Sequence, residues 1–205
     1  MLAAAGGRYF RGVMVFYPTD AALPAGLPFG GFIDVRFQNT RIFLPMNPDL
    51  FLPRKWTFRA HGRRVVFKKK PLESNTHVLI KALLWALFLP QYPNLAVEVG
   101  VGNRYKPDLM EMDESGVPVF WGEAGQVGQR KMKTLVNRFR STHLVFAKWD
   151  VNLSPFERIL KKETGAIRRS APVDLISFPE DSGERFFRPD GEIRIALTDV
   201  VHVRC

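Results

Sequence analysis

Two acidic side chains in this chain have the spacing and the surroundings of a metal site. Asp108 stands directly before the apolar run Leu109–Met112, and Glu123 stands just after the run Val117–Trp121. Both runs are rich in β-branched, aromatic or other apolar residues, which is typical of strands. Two carboxylates at neighbouring strand ends can hold a divalent cation, and a hard cation such as Mg²⁺ or Mn²⁺ prefers oxygen ligands. The two acids therefore predict a metal site.

The segment between the two runs predicts the turn that brings the acids together. Asp113–Gly116 is an Asp-Glu-Ser-Gly cluster whose glycine suits a positive φ, so the two strands should form a hairpin. Pairing in a hairpin brings the start of the first strand close to the end of the second, and hence Asp108 close to Glu123. A third run, Ala96–Val101, completes a three-stranded meander.

A purely structural interpretation of the two acids is equally open from the residues alone. An aspartate that follows proline at the start of a strand commonly caps a turn. A glutamate at the end of a strand is often a solvated charge or the partner of a nearby lysine. Neither interpretation excludes the other before the family resemblance is considered.

A resemblance to a known family bears on this choice. Pro107-Asp108, followed after fourteen residues by Glu123-Ala124-Gly125, resembles the PD-(D/E)xK nuclease signature with its last letter changed. At closer range the chain resembles the YaeQ family, which has this nuclease-like fold, over residues 70–88 (KPLESNTHVLIKALLWALF), 106–110 (KPDLM) and 120–135 (FWGEAGQVGQRKMKTL). The first fifty residues carry no such likeness. The resemblance implies an α+β fold with a restriction-endonuclease-like core: a helix, the meander, a second helix and a strand, in a mixed sheet flanked by helices, with extra N- and C-terminal strands.

The resemblance also implies roles for the site residues. Asp108 and Glu123 would hold Mg²⁺ or Mn²⁺, with the Ala124 carbonyl as a third ligand. The metal would polarise the scissile phosphate of a nucleic acid and lower the pKa of a bound water that attacks in line. In the family pattern the position of Gly125 is a lysine, which orients the water and steadies developing negative charge. Gly125 cannot do this. A cation from the helix that follows could replace it, with Lys131 as the best candidate and Arg130 and Lys133 as others.

Other polar residues are candidate accessories to the site, namely Glu73, Glu98, Gln126 and Gln129. The two glutamines could position water but would bring no charge. Glu73 lies at the edge of a helix that often supplies an acid in this superfamily, and it equally fits a charge that stabilises the helix N-terminus. Glu98 could be a further acidic neighbour or the ion-pair partner of Arg104 or Lys106.

The charge of the chain favours a polyanionic partner. Thirty Lys and Arg residues oppose twenty Asp and Glu residues, which leaves a formal charge of +10. A positive field of this size attracts nucleic acid, the usual polyanion. A basic hairpin over residues 56–70 could contact phosphates, or its lysines could simply protect a sheet edge from aggregation. The candidate phosphate contacts are Arg63, Arg64, Lys68, Lys69, Lys70, Arg130 and Lys133. An acidic protein partner is the third hypothesis, alongside an active nuclease and an inactive nuclease-fold module that binds nucleic acid.

The overall organisation follows from composition and periodicity. Gly and Pro interrupt residues 1–56, which predicts an irregular, β-rich N-terminal extension ahead of a nuclease-like domain over 57–205. The lone cysteine, Cys205, suits a reducing cytoplasm, and the longest apolar run, 82–90, is much too short to cross a bilayer.

The first helix predicted around the meander has Ser74 or Asn75 as its cap and the apolar run Val78–Leu89 as its body. The other predicted elements are a helix over Gln129–Arg140, a helix that a capping box opens at Ser154 and Gly165 closes, and strands over Gly12–Tyr17, Phe32–Phe37, Arg41–Leu44, Thr142–Trp149, Val173–Phe178 and Ile193–Val203.

Overall fold

The chain divides into two compact units, Met1–Pro53 with Lys70–Glu73, and Arg54–Lys69 with Ser74–Cys205. The computed structural model describes residues 54–98 and 105–205, together with four strands among the first 53 residues. Those strands are β1 (Gly7–Phe10), β2 (Val13–Phe16), β3 (Phe32–Phe37) and β4 (Thr40–Pro45), and they pair antiparallel in chain order. The predicted strand over Phe32–Phe37 is confirmed, and β2 and β4 match their predictions to within a residue at each end. β1 was not predicted.

The described residues of the second unit form a hairpin, a six-stranded mixed sheet and four helices. In chain order its elements are β5 (Arg54–Ala60), β6 (Arg63–Lys69), α1 (Asn75–Phe88), β7 (Ala96–Val97), β8 (Leu109–Met112), β9 (Pro118–Ala124), α2 (Gln129–Arg138), β10 (His143–Trp149), α3 (Ser154–Gly165), β11 (Val173–Phe178), α4 (Ser182–Phe186) and β12 (Val201–Arg204). The sheet order is β12-β11-β10-β9-β8-β7, with β9, β10 and β11 parallel and the remaining pairs antiparallel. The predicted α+β class with a mixed, helix-flanked sheet is confirmed at this level.

Helix α1 covers one face of the sheet because it is apolar nearly all round. Its N-cap, Ser74, accepts a hydrogen bond from the amide of His77 at 3.1 Å, as the sequence predicts. Leu83 and Leu84 are fully buried in one core with Phe120 and Val145 of the sheet and with aromatic residues of the β5–β6 hairpin. Helix α1 therefore packs directly against the sheet whose end carries the candidate site.

Helices α2 and α3 cover the opposite face. Met132 and Leu135 of α2 pack in a second core with Trp121 of β9 and with Leu144 and Phe146 of β10. Alternation along β10 thus sends Val145 toward α1 and its two neighbours toward α2, as expected of a strand buried on both faces. The apolar stripe that predicted α2 is this contact surface.

Three predictions of local structure are wrong: the end of one helix, the cap of another and the continuity of one strand. Helix α2 ends at Arg138 rather than Arg140. The capping box at the start of α3 does not form, because Leu153 is the N-cap and the Ser154 amide is instead bound by the side chain of Asn152 at 2.9 Å. The single strand predicted over Ile193–Val203 is interrupted by a 3-10 turn over Leu197–Asp199, in which the Asp199 carboxylate accepts the Ala196 amide, and only Val201–Arg204 forms a strand in the sheet.

A buried polar cluster joins the amino-terminal ends of β10 and β11. Asp174 is fully buried and accepts hydrogen bonds from Arg204 Nε at 2.8 Å, Arg204 Nη2 at 2.9 Å and His143 Nε2 at 2.9 Å. His202 Nε2 lies 3.3 Å from the same carboxylate. The other ring nitrogen of His143, Nδ1, is hydrogen-bonded to the Tyr92 hydroxyl at 2.8 Å. The cluster ties the loop after α1 to three strands of the sheet.

Substituting Gly122 with alanine should destabilise the second unit. An added Cβ would lie 2.9 Å from Leu84 Cδ2 and 3.1 Å from Phe120 Cε1, so α1 and β9 could not keep their present separation. Overpacking of this kind typically costs about 1–3 kcal/mol of the free energy of unfolding, which urea denaturation measures. Gly183→Ala is the matched control, because nothing lies within 4 Å of its added Cβ. If the two variants unfold at the same urea concentration, the contact between α1 and β9 accommodates the added methyl group.

None of the helices in the described part of the chain has the length and apolarity needed to span a bilayer.

Candidate functional site

The turn of the β8–β9 hairpin forms as the sequence predicts. Asp113 Oδ1 accepts the amides of Ser115 at 2.9 Å and Val117 at 2.8 Å, and Gly116 has a φ of +76°. This turn sets the register that places Leu109 opposite Gly122. The far ends of the two strands, which carry the predicted acids, therefore lie side by side.

Asp108 and Glu123 are joined through the backbone of β9. The Asp108 amide donates to the Gly122 carbonyl at 3.1 Å, and Asp108 Oδ2 accepts the Ala124 amide at 2.8 Å. Because Gly122 and Ala124 flank Glu123 in the chain, the two acids occupy neighbouring positions at one end of the sheet. The hairpin thus produces the proximity on which the predicted site depends.

Glu123 is almost completely buried and is held on both oxygens. Oε1 accepts the indole N–H of Trp121 at 2.7 Å, and Oε2 accepts the ammonium group of Lys131 at 2.5 Å. Lys131 Nζ also lies 5.7 Å from the ring centroid of Tyr105. The lysine proposed from the following helix therefore does reach Glu123, while its chemical role remains a prediction.

Asp108 has a partner from α1, His77, whose contact with this aspartate was not predicted. His77 Nε2 lies 3.4 Å from Asp108 Oδ1, and the side chains of the pair are 28% and 21% exposed. The Asp108 carbonyl accepts the amide of Glu98 at 2.9 Å. The aspartate is thus fixed from three directions, by β9, by α1 and by the end of β7.

The two carboxyl groups have pKa values displaced in opposite directions. Burial raises the pKa of Asp108, but hydrogen bonds from His77 and from the Ala124 amide outweigh it, so the net pKa lies below the usual value. Burial raises the pKa of Glu123 more than the hydrogen bonds from Lys131 and Trp121 lower it, and the charge of Asp108 adds to the rise. The effect of Asp108 on the pKa of Glu123 is expected when two acids lie close together.

Lys148 is a site residue that the sequence interpretation missed. In the parallel register of β9 and β10, Phe146 is opposite Glu123, so Lys148, two residues later, is on the same face. Its ammonium group donates to the Gly125 carbonyl at 2.5 Å and lies 4.7 Å from the ring centroid of Phe156. Burial lowers the pKa of Lys148 to about 8, against the opposing effect of the Glu123 charge. A single lysine inside the apolar run of β10 was the signal that could have pointed to it.

The backbone conformation at Gly125 and the nearby ring of His77 both favour glycine at this position. Its φ is +71°, and an added Cβ would lie 3.0 Å from Nδ1 of His77. An L-residue there would be strained and would press on the imidazole. The backbone conformation therefore disfavours a lysine at this position, and Lys148 brings an ammonium group to the Gly125 carbonyl from the neighbouring strand.

Comparison with known proteins finds structural neighbours only. No protein-family model matches the chain, and no curated protein matches it. A YaeQ protein from Xanthomonas axonopodis pv. citri is 22% identical, covers 60% of this chain and 72% of its own, and has a TM-score of 0.42. A YaeQ protein from Pseudomonas syringae is 16% identical, covers 66% of this chain and 76% of its own, and has a TM-score of 0.49. Both neighbours are YaeQ proteins. Neither name states an activity.

The predicted accessory residues are distributed unevenly. Glu98 lies beside Asp108 through its backbone, but its side chain pairs with the buried Lys81 of α1 at 2.6 Å, whereas Arg104 or Lys106 was expected. Arg104 lies outside the described residues. Gln126 and Gln129 are exposed in the loop after β9 and at the start of α2. Glu73 belongs to the first unit, precedes the N-cap of α1, and accepts the Lys70 amide at 2.8 Å.

The predicted phosphate contacts are likewise not equivalent. Arg64 and Lys68 of the β5–β6 hairpin are exposed, as are Lys70 and, on α2, Arg130. Arg63 is exposed but donates to the Pro93 carbonyl. Lys69 is only 2% exposed, and Lys133 pairs with Glu163 at 2.9 Å. The burial of Lys69 removes it from the accessible basic surface.

The donor set suits a magnesium-type ion better than zinc. Among residues 54–98 and 105–205, no three His, Cys, Asp or Glu side chains are grouped to hold a metal. Mg²⁺ is commonly held by one or two carboxylates and keeps its remaining ligands as water or substrate oxygens, whereas zinc takes three or four protein ligands. One oxygen of Glu123 is bound by Trp121, and the other faces the partly exposed ammonium group of Lys131. One oxygen of Asp108 is bound by the Ala124 amide, and the other faces the partly exposed imidazole of His77. Those two side chains are the ones that an ion would displace.

Proposed function

We propose that this chain is a metal-dependent phosphodiesterase with a restriction-endonuclease-like PD-(D/E)xK core, and that it hydrolyses nucleic acid. One observation carries the proposal: Asp108 and Glu123 are linked through the Ala124 amide, with two ammonium groups, those of Lys131 and Lys148, beside them. Carboxylates that can hold a divalent cation, next to ammonium groups that can stabilise negative charge, support hydrolysis of a phosphodiester as the reaction.

The residues have distinct roles in this proposal. Asp108, Glu123 and the Ala124 carbonyl would hold Mg²⁺ or Mn²⁺, which when bound supplies a Lewis acid that polarises the phosphate and lowers the pKa of water. Lys148, anchored on the Gly125 carbonyl, places positive charge where negative charge develops. Lys131 neutralises Glu123 in the resting site and, once released, is free to contact a phosphate.

The charge of the protein supports nucleic acid as the substrate. The formal charge is +10, and exposed basic groups lie on the β5–β6 hairpin, at Arg64 and Lys68, and on α2, at Arg130. A field of this sign raises the local concentration of a polyanion and speeds its encounter with the site.

The test is metal-dependent cleavage by wild type and by Asp108→Asn. Labelled single- and double-stranded DNA and RNA are incubated with Mg²⁺ or Mn²⁺ and, separately, with EDTA. We expect cleavage only with the metal, and a loss of about 100-fold in the variant, because asparagine keeps an oxygen but loses the charge that holds the ion. Glu114→Gln, an exposed acid in the turn of the same hairpin, is the matched control and should retain full activity.

Metal binding provides a readout that does not depend on turnover. Titration calorimetry with Mn²⁺ should detect binding to wild type and to Glu114→Gln, and weaker binding to Asp108→Asn. Cleavage that survives in Asp108→Asn, or that appears in EDTA, would contradict the assignment of this site.

A second candidate function is a nuclease-fold module that binds nucleic acid without cleaving it. It is favoured by the engagement of both carboxylates, since each oxygen of Asp108 and Glu123 has a protein partner and Lys131 occupies the place of a cation. Oligonucleotide binding without cleavage, together with no detectable Mn²⁺ binding, would select this function. An acidic protein partner becomes the better proposal if no oligonucleotide binds.

A further inference from the structure

A cleft lined by arginines lies at the far end of α2 from Lys131. It has a volume of about 400 Å³ and sits where the end of α2, the start of β10 and the loop before β11 meet. Its lining contains no carboxylate and consists of Arg138, Arg140, Ser141, Arg168, Arg169 and Ser170. We call this the arginine cleft.

The side chain of Arg169 holds the backbone around the cleft in place. Partly buried, it donates to the carbonyls of Val136 and Thr142, the latter at 2.8 Å, and to that of Ala171 at 3.3 Å. The Arg140 carbonyl in turn accepts the amides of Ser170 at 3.1 Å and Ala171 at 3.3 Å. These bonds lock the two loops together, so that the exposed guanidinium groups project from a fixed backbone.

The cleft brings like charges together without a compensating acid in its lining. Burial lowers the pKa of Arg169, and the neighbouring charge of Arg140 lowers it further. Glu163 of α3, which accepts a hydrogen bond from Asn137 of α2 at 3.4 Å, is already paired with Lys133 at 2.9 Å. An arrangement that carries this repulsion in the free protein is relieved when an anion binds.

The neighbouring surface extends the cleft. A second cleft of about 570 Å³ shares Arg168, Arg169 and Ser170 with it and continues past Lys161 to Cys205. Two adjoining clefts with shared arginines fit a linear chain of anionic groups better than a single ion. Guanidinium groups bind phosphate through paired N–H donors, and serine hydroxyls add further donors to phosphate oxygens.

We propose that the arginine cleft binds the phosphate backbone of a nucleic-acid strand, at a place separate from the candidate site. Arg138 follows Lys131 by two helical turns and lies on the same side of α2, about 10 Å further along its axis, which is roughly three base-pair steps of a duplex. A strand bound in the cleft would therefore extend toward the candidate site. The inference rests on the proposed function only in taking nucleic acid as the ligand.

The experiment is anisotropy titration of fluorescent 30-mers, single stranded and duplex, in EDTA, so that no cleavage can occur. The test variant is Arg140→Gln with Arg168→Gln, two exposed cleft residues. The control is Arg158→Gln with Arg188→Gln, which removes the same charge from exposed positions outside the lining of both clefts. We expect affinity about 10- to 100-fold weaker for the test variant and a plot of log K against log salt less steep by about 1–2. The control should change both quantities much less.

Three outcomes would overturn the proposal. Equal losses in the two double variants would mean that only net charge matters, and an unchanged test variant would mean that the cleft is not used. Displacement of the 30-mer from wild type by millimolar inorganic phosphate would indicate a site for one small anion.

Melting temperatures establish that both variants fold, and Arg168→Lys, which keeps the charge but loses the paired donors, should give an intermediate affinity. Because EDTA separates binding from turnover, a failed cleavage assay leaves this result standing.

Discussion

Replacing Lys148 with methionine should lower metal-dependent cleavage about 1,000-fold, while leaving the melting temperature at pH 7 unchanged or higher. In the proposed reaction the loss follows because the ammonium group, held on the Gly125 carbonyl, places a fixed positive charge where negative charge develops. Removing one such preorganised donor typically reduces turnover about 100- to 1,000-fold. Stability should not fall, because methionine fills a similar volume and ends the desolvation of a buried charge.

The pH dependence separates a chemical role from a structural one. Since the pKa of Lys148 is lowered to about 8, the ammonium form is lost as the pH rises through that value, and wild-type turnover should fall there. Lys148→Arg keeps its charge at every pH used, so any activity it retains should lack this decline. The folded pKa also lies below the unfolded value of about 10.4, so between these two pH values the unfolded chain binds more protons and the free energy of unfolding of wild type rises with pH.

The matched control for Lys148 is Lys162→Met, which removes an exposed lysine of α3 that lies outside the candidate site and outside the lining of both clefts. Turnover by this variant should stay within a few-fold of wild type. If Lys148→Met keeps full activity, or if it loses activity only because it unfolds, Lys148 has no part in the reaction. A decline above pH 8 that persists in Lys148→Arg would assign the titration to another group.

Replacing Asp174 with asparagine should lower the free energy of unfolding by about 2–4 kcal/mol. The carboxylate is fully buried and accepts hydrogen bonds from Arg204 and His143, and asparagine would set an N–H₂ group against these donors. Breaking a buried, charge-assisted network by removing one partner has costs of this order. The measurement is urea denaturation at pH 7, and Asp181→Asn, at an exposed position, is the control.

Acid should remove the same contribution from wild type. Burial raises the pKa of Asp174, but hydrogen bonds from Arg204 and His143 and the charges of His143 and His202 lower it far more, so the folded pKa lies well below its usual range. A carboxyl group with a depressed folded pKa stabilises the protein fully above the unfolded pKa, near 3.9, and loses this effect as the pH falls below it. Wild type should therefore lose more stability than Asp174→Asn below about pH 4. Parallel curves for the two proteins would show that the carboxylate contributes no net stability.

Local pattern was enough for the elements and for part of the site. The turn Asp113–Gly116 and the strand periodicity on either side of it predicted the hairpin. The register of a hairpin is set by its turn, and this register places Asp108 beside Glu123. Lys131 was within reach for the same reason, because it lies eight residues after Glu123 on the helix that the strand leads into. Interactions between residues close in the chain leave few geometric alternatives.

Contacts between distant segments could not be predicted in this way. Lys148 joins the site through the parallel register of β9 and β10, His77 through the packing of α1 on the sheet, and the Asp174 cluster through three strands and a loop. The arginine cleft exists because Arg169 locks two loops that are far apart in sequence. Periodicity states which face of an element is buried but not which element covers it or in what register. The sequence by itself determined the hairpin, its two acids and the lysine that follows them, and only the tertiary structure decided that the imidazole of His77 and the ammonium group of Lys148 lie beside them.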